Sequence, residues 1–389
     1  MKKKICFLMD SLFTIGGVQR VTAVIAKELS RYYDVTIVCF DSPDKKDTSL
    51  YGLNEADISY RFYNYPQVGK IQNFVCKLYS GLYRKLQPKW EWASNIYALS
   101  SFPKALRRSL ENELRQEGYD TIIGVHAPLA TRLATMKPRL GGARCIGWIH
   151  NSFEALYSKQ SLYIGQDRKR HYILQLRKLD ATVVLCRHDA DCYSDYDPRF
   201  RPDVIYNPLT LTPGTPSEGT SKRFLAVGRF SKLHKGFDLL IDAFSIFAKH
   251  DDEWMLDIVG EGPEEQLYRE KIAAYGLEQR VFLHPFTTHI QDYYSGAQVY
   301  VLSSRWEGFG LVLVEAMAHG LPVVSSNLPT SLEIMGDYGI YFENGNVEEL
   351  AKSLLQATRI DWKSKSRQAY AIAQRFSAEN IIAQWRAII

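Results

Sequence analysis

Residues 4–40 contain KICFLMD, then GGVQRVTAVIAKELSRY, then DVTIVCF. A short apolar run, a glycine turn, an amphipathic segment and a second apolar run make a βαβ unit, and such a crossover forces the two strands to lie parallel. Further strands are expected at DTIIGVH, ARCIGWIH and ATVVLC, so the first half reads as one doubly wound domain. Around 206–222 the composition shifts to NPLTLTPGTPSEGTSK, which reads as a linker. The rhythm then restarts. RFLAVGRF, WMLDIVGEG, RVFLHPF, AQVYVLSS and LPVVSSN are expected strands, interleaved with helices at FDLLIDAFSIFAKH, EEQLYREKIAAYG and LVLVEAMAHG. The expected division is 1–206, 207–376 and a last helix over 377–389 that packs back toward the first domain. Two such domains imply a cleft between the carboxyl ends of two parallel sheets, where folds of this class bind ligands.

Length and composition agree with that scale. The chain has 389 residues, 46% of them hydrophobic, enough for about two domains. MKKKICFLMDSLFTIGGVQR has a basic head, but Asp10 interrupts the apolar run and no small-residue cleavage site follows, so it reads as a first strand rather than a signal peptide. No window reaches the roughly 18 apolar residues of a membrane span. Six scattered cysteines without CxxC pairs or histidine partners at zinc spacing argue against a disulfide framework or structural metal. A cytoplasmic, metal-free protein is expected. The net charge of +5 is unevenly spread: residues 1–206 carry 31 Lys+Arg against 21 Asp+Glu, and 207–389 carry 17 against 22.

The stretch RWEGFGLVLVE at 305–315 places two carboxylates, Glu307 and Glu315, in otherwise apolar surroundings. Glu307 is expected in a turn at the end of a strand and Glu315 on the second turn of the following helix. Between them, the amides near Phe309, Gly310 and Leu311 form a helix N-terminus suited to a phosphate or sugar oxygen. The plainer reading makes Glu307 a partner of the helix dipole and Glu315 a solvated residue. Arg229 and Lys235, six apart across the turn after RFLAVG, put two cations beside a helix start, where they oppose its dipole. That local cost points to an anionic ligand.

E-x7-E after a strand, followed by EAMAHGLPVV and preceded in order by VGRFSKLHKGFDLL, IVGEGPEEQL, VFLHPF and DYYSGAQVYVLSS, resembles the C-terminal domain of family 4 retaining glycosyltransferases of the GT-B fold. The match is strong over about 224–335 and weaker, through GGVQR and GWIH, in the first half. The resemblance implies an α/β GT-B fold with two Rossmann-like domains facing a central cleft. It implies that Arg229 and Lys235 hold the donor diphosphate, acting on charge that grows as the glycosidic bond breaks. Glu315 would receive the nucleotide ribose, Glu307 the donor sugar hydroxyls beside the Phe309 and Gly310 amides, and Glu307 is not assigned as a base. Gly16 and Gly17 would let backbone approach the diphosphate, and His150, ending CIGWIH, would face the donor sugar. His126, ending DTIIGVH, fits no family motif as well. The loop from His284 to Thr288, with Pro285, matches the region that contacts the nucleotide base, and the turn at Gly260 to Pro263 lines the same cavity or is simply a tight turn.

From Lys70 to Arg115 there are nine Lys/Arg against three Asp/Glu. Ile71, Phe74, Val75, Leu78, Leu82 and Leu86 fall on one helical face, edged by Lys70, Lys77, Arg84 and Lys85. That is the format of an interfacial helix on anionic lipid, or of a helix docked on the sheet with a solvated basic edge. Nucleic acid is disfavoured, because no binding module accompanies the charge.

The expected function is retaining transfer of a hexose or N-acetylhexosamine from a nucleotide sugar, UDP favoured, to a saccharide acceptor, expected to be polyprenyl-diphosphate-linked, in bacterial surface polysaccharide synthesis. The nucleotide sugar is a substrate; no cofactor and no metal are expected. GDP-mannose-dependent mannosyl transfer is the nearest alternative, followed by a sugar-nucleotide epimerase and a non-catalytic nucleotide-sugar-binding protein. A nicotinamide oxidoreductase is opposed by the missing GxGxxG with its later acidic residue.

Overall fold

A computed structural model of the chain describes residues 2–159, 161, 163–213 and 215–389. It divides into two compact units, one of residues 1–208 with 378–389 and one of residues 209–377.

In the first unit the strands are β1 (Lys4–Met9), β2 (Asp34–Cys39), β3 (Ile58–Phe62), β4 (Thr121–Val125), β5 (Arg144–Trp148), β6 (Ala181–Val184) and β7 (Asp203–Val204). They form one sheet in the order β3-β2-β1-β4-β5-β6-β7, with every pair parallel. β1, β2 and β4 are near-continuous apolar runs because helices cover both faces of a parallel sheet. The helix Gly17–Ser30 buries Val21, Ala23, Ile25, Ala26 and Leu29 against it. The terminal helix Ala378–Ile388 belongs to this unit: Trp385 is fully buried with its ring 4.9 Å from that of Trp148, and Arg144 Nε donates to the Ile388 carbonyl at 2.6 Å.

In the second unit β8 (Arg223–Val227), β9 (Met255–Val259), β10 (Val281–His284), β11 (Val299–Leu302), β12 (Val323–Ser326) and β13 (Ile340–Phe342) form a parallel sheet in the order β10-β9-β8-β11-β12-β13. Its core gathers Phe224, Phe244, Phe247 and Trp254, all buried, with the Phe224 and Trp254 rings 4.5 Å apart. The stretch expected as a linker is largely part of this unit. The Leu209 amide donates to the Phe376 carbonyl, Thr210 Oγ1 to the Glu315 carboxylate, and Ser217 Oγ to the Ala297 carbonyl. Its Gly214 lies outside the described residues.

The strands that sequence patterning missed are β3, β7 and β13, all at sheet edges. An edge strand is short and half solvated, so it lacks the apolar run that marks the interior ones; β3 alternates buried Ile58 with exposed Ser59 and Arg61. Among the described residues no helix is long and apolar enough to cross a membrane.

Trp385→Ala removes a fully buried indole and is expected to lower stability by about 3–5 kcal/mol. Denaturant unfolding checks this; a loss below about 1 kcal/mol would mean that the terminal helix is not packed as described.

Candidate functional site

In the second unit the loops after β10, β9, β8 and β11 are neighbours, because those strands adjoin in that order. The loop after β8 carries Arg229, exposed to solvent, and leads to the short helix Lys232–Lys235. A Cβ on Gly228 would fall 2.9 Å from Lys235 Cε, so glycine there lets the lysine stem lie across the strand end. Lys235 Nζ pairs with Glu307 Oε1 at 2.5 Å, and Ser304 Oγ donates to the same oxygen at 2.7 Å. Both side chains are mostly buried, and a charge pair shielded from water is stronger than one at the surface.

Several backbone contacts fix this pair. Gly236 has φ +62°, and a Cβ there would lie 2.2 Å from the Ser303 carbonyl oxygen. Ser303 Oγ donates to the Lys235 carbonyl, and the Arg305 amide to that of His234. Arg305 also makes a bidentate pair with Asp238, at 2.8 and 2.9 Å. The turn after β9 packs backbone to backbone on the Arg229 loop: a Cβ on Gly260 would sit 1.9 Å from the Gly228 carbonyl oxygen, and the Phe230 amide donates to the Glu261 carbonyl. The Gly260 amide in turn bonds the His284 carbonyl, just before the exposed Pro285.

Gly310, at φ +81°, caps the helix Leu311–Ala318; Phe309 is buried against Phe376, and Leu311 is half-buried. The structure therefore brings Arg229, Lys235, Gly260, Glu307 and the Gly310 helix start to adjoining strand ends. Glu315 is different. It is fully buried, with Thr210 Oγ1 donating to one carboxylate oxygen and Tyr294 Oη to the other, both at 3.0 Å. The solvated reading of Glu315 fails, because the apolar helix turns it inward among partners.

In the first unit the ends of β1, β4 and β5 adjoin. His150, after β5, is buried, its ring 4.2 Å from Trp148 and 5.3 Å from His126, and its Nε2 has no hydrogen-bond partner among the described residues. Burial, and then the neighbouring His126, hold His150 well below the usual imidazole range. His126 is held low by burial as well, and sits at φ +73°, an uncommon conformation for a side-chain-bearing residue. Burial thus favours the neutral form of both rings. Gly16 has extended backbone that any residue adopts; its amide donates to Tyr51 Oη, whose hydroxyl donates to the Thr14 carbonyl. Gly17 starts the following helix. Asp41 holds the preceding loop through Ser11 Oγ and the Leu12 amide, both at 2.7 Å.

Sequence reasoning missed Thr210, Asp238, Tyr294, Arg305, Asp41 and Tyr51. Arg305 stood inside the quoted RWEGFG stretch, so its charge in an apolar loop was a usable signal. Its partner Asp238, 67 positions away, left none. His126 was set below His150, yet the two rings are in contact.

The buried histidines make a prediction about acid. A group whose folded pKa is depressed contributes stability that is intact above its unfolded value near 6.5 and is lost as pH falls below it. His150→Gln should therefore flatten the acid-side decline by up to about 1.4 kcal/mol per pH unit, measured by denaturant unfolding between pH 7 and pH 5. Identical slopes in the two proteins would contradict a neutral, buried His150.

The glycosyl transferases group 1 family model matches residues 211–375, and the glycosyltransferase family 4 model matches 15–212. An uncharacterized glycosyltransferase of Haemophilus influenzae is 28% identical over 308 residues, 76% of this chain and 85% of its own length. The amylovoran biosynthesis glycosyltransferase AmsD of Erwinia amylovora is 25% identical over 404 residues, 99% of each chain. HepE of Anabaena, crystallised in complex with UDP and glucose, superposes with a TM-score of 0.75 at 20% identity, covering 99% of this chain and 98% of its own. The two parallel-sheet units are those of the GT-B fold. With one model spanning more than half of the sequence and the other most of the remainder, the chain belongs to glycosyltransferase family 4.

Proposed function

We propose that the chain transfers a hexose or N-acetylhexosamine, with retention, from a UDP-sugar to a lipid-linked saccharide acceptor in the synthesis of a bacterial surface polysaccharide. The observation that carries this reading is the meeting of Arg229, the Lys235–Glu307 pair and the Gly310 helix start at adjoining strand ends. Such a set suits a sugar diphosphate: cations and helix amides take the phosphates, and a carboxylate takes sugar hydroxyls. The UDP and glucose bound by HepE, and the biosynthetic role in the name of AmsD, support the donor class and setting.

In the proposed step the acceptor oxygen bonds to the anomeric carbon while the bond to the departing phosphate oxygen breaks. The acceptor hydroxyl proton passes to that phosphate oxygen, and the nucleoside diphosphate leaves. Arg229 and Lys235 stabilise the growing negative charge, so the step needs no metal from the medium. Glu307 works by position: its pairing with Lys235 and Ser304 fixes the carboxylate before substrate arrives. Glu315 is assigned the ribose; its carboxylate is buried and held by Thr210 and Tyr294, so one of these donors gives way to a ribose hydroxyl on binding.

The lipid-linked acceptor is supported by the helix Lys70–Leu86. Its apolar stripe faces outward: Ile71 is 83% exposed, Phe74 68% and Leu78 63%, while Tyr83 turns inward and stacks on Tyr97. The docked-helix reading expected the reverse. Lys70, Lys77 and Lys85 flank the stripe, and Arg84 pairs with Asp167. Anionic lipid complements this charge and covers the apolar face.

Glu307→Gln should lower the transfer rate by about two orders of magnitude or more in a protein that circular dichroism shows to be folded, although the loss of the buried charge partner of Lys235 lowers its unfolding midpoint, and wild-type transfer should be indifferent to added magnesium. Undiminished transfer in the variant would sink the assignment. Phe74→Ser with Leu78→Ser should weaken sedimentation with phosphatidylglycerol vesicles more than ten-fold, since each buried side chain is worth about 1.5–3 kcal/mol. Equal binding to neutral and anionic vesicles, or no loss in the double variant, would contradict the membrane reading.

A further inference from the structure

The short helix Phe153–Tyr157 follows His150 closely in sequence and is fastened to the helix Arg187–Tyr196. The Phe153 amide donates to Asp189 Oδ1 at 2.8 Å, and the Tyr157 and Tyr193 hydroxyls are 3.2 Å apart. On the outer side of this junction lie Glu154, His188 and Cys192. His188 and Cys192 stand four residues apart on one helix, so they share a face, and Glu154 reaches them from the other helix.

The ligating atoms form a triangle. Glu154 Oε1 is 2.9 Å from His188 Nε2, Cys192 Sγ is 3.5 Å from that nitrogen, and Sγ is 3.7 Å from Oε1. A tetrahedral zinc ion, with zinc–sulfur near 2.3 Å and zinc–nitrogen and zinc–oxygen near 2.0–2.2 Å, needs sulfur edges of about 3.5–3.6 Å and a nitrogen–oxygen edge of about 3.3 Å. The sulfur–nitrogen edge already has that length, and the sulfur–oxygen edge, at 3.7 Å, is slightly longer. The third is short because a hydrogen bond now closes it, and a small rotation of the exposed Glu154 side chain opens it.

We propose that Glu154, His188 and Cys192 form a three-ligand site for a borderline-soft divalent cation of the zinc class, with water as fourth ligand. One carboxylate, one thiolate and one neutral imidazole balance the charge of a divalent ion. The neighbouring Lys169, whose ammonium lies over the Phe153 and Tyr196 rings, therefore meets no added repulsion. On binding, the metal–sulfur bond replaces the S–H bond, the thiol proton goes to solvent and the ion gives up water. Without the cation the Cys192 thiol is protonated, since burial and then Glu154 push it up to about 12. The bound ion would clamp the segment after His150 onto the helix Arg187–Tyr196. No CxxC or paired histidines announce such a site; the third ligand comes from 34 positions away.

The test is titration of the reduced 389-residue chain with cobalt(II), followed by absorption, with zinc as competitor. The proposal expects one equivalent with a sulfur-to-cobalt charge-transfer band and tetrahedral visible bands, both erased by zinc. Cys192→Ser and His188→Ala should abolish the charge-transfer band or weaken binding at least ten-fold, and zinc should raise the unfolding midpoint of the wild type but not of these variants. Cys76→Ser, at another cysteine that is not fully buried, should change nothing. Circular dichroism confirms that each variant is folded. Absence of the charge-transfer band in the wild type, or its survival in folded Cys192→Ser, would overturn the proposal.

Discussion

A parallel sheet brings the carboxyl end of every strand to one edge, and each crossover must return over a face before the next strand begins. Both units of this chain are built under that constraint. Side chains placed just after a strand therefore meet others placed just after its neighbour, however far apart they are in sequence. Lys235 and Glu307, 72 positions apart, are in contact for this reason, and His126 and His150 meet at the ends of adjoining β4 and β5.

The strand edge alone gives proximity; the fixed geometry comes from close backbone approach. Gly236 against Ser303 and Gly260 against Gly228 leave no room for a Cβ. Arg305 and Asp238 then tie the Glu307 loop to the helix Phe237–Phe247. A cation and carboxylate locked together before substrate arrives need little reorganisation when charge develops. The same economy governs Glu315, whose partners come from Thr210 and Tyr294. A buried carboxylate without partners would be costly.

Much of this was legible in the sequence, and the gaps have physical causes. Interior strands such as KICFLM and MLDIV announce themselves because both faces are buried, whereas β3, β7 and β13 carry only half that signal. Glu307 and Glu315 stood out as charges in apolar surroundings, yet nothing local distinguished a carboxylate meeting solvent from one sealed by a tyrosine 21 positions earlier. The stretch around Thr210 reads as linker by composition because Pro, Gly, Ser and Thr also suit a chain that packs irregularly against a domain. The outward stripe of Lys70–Leu86 was visible as a stripe, but the side it faces depends on Tyr83 and Tyr97 stacking beneath it.

The central claim is that the strand-end cations of the second unit hold a nucleoside diphosphate. Calorimetric titration with UDP and with GDP, in wild type and Arg229→Ala, with and without magnesium, tests it most directly. The account predicts one-to-one binding of UDP in preference to GDP, unaffected by magnesium and weakened at least ten-fold in the variant. Failure of both nucleotides to bind, or UDP binding that Arg229→Ala leaves intact, would contradict it.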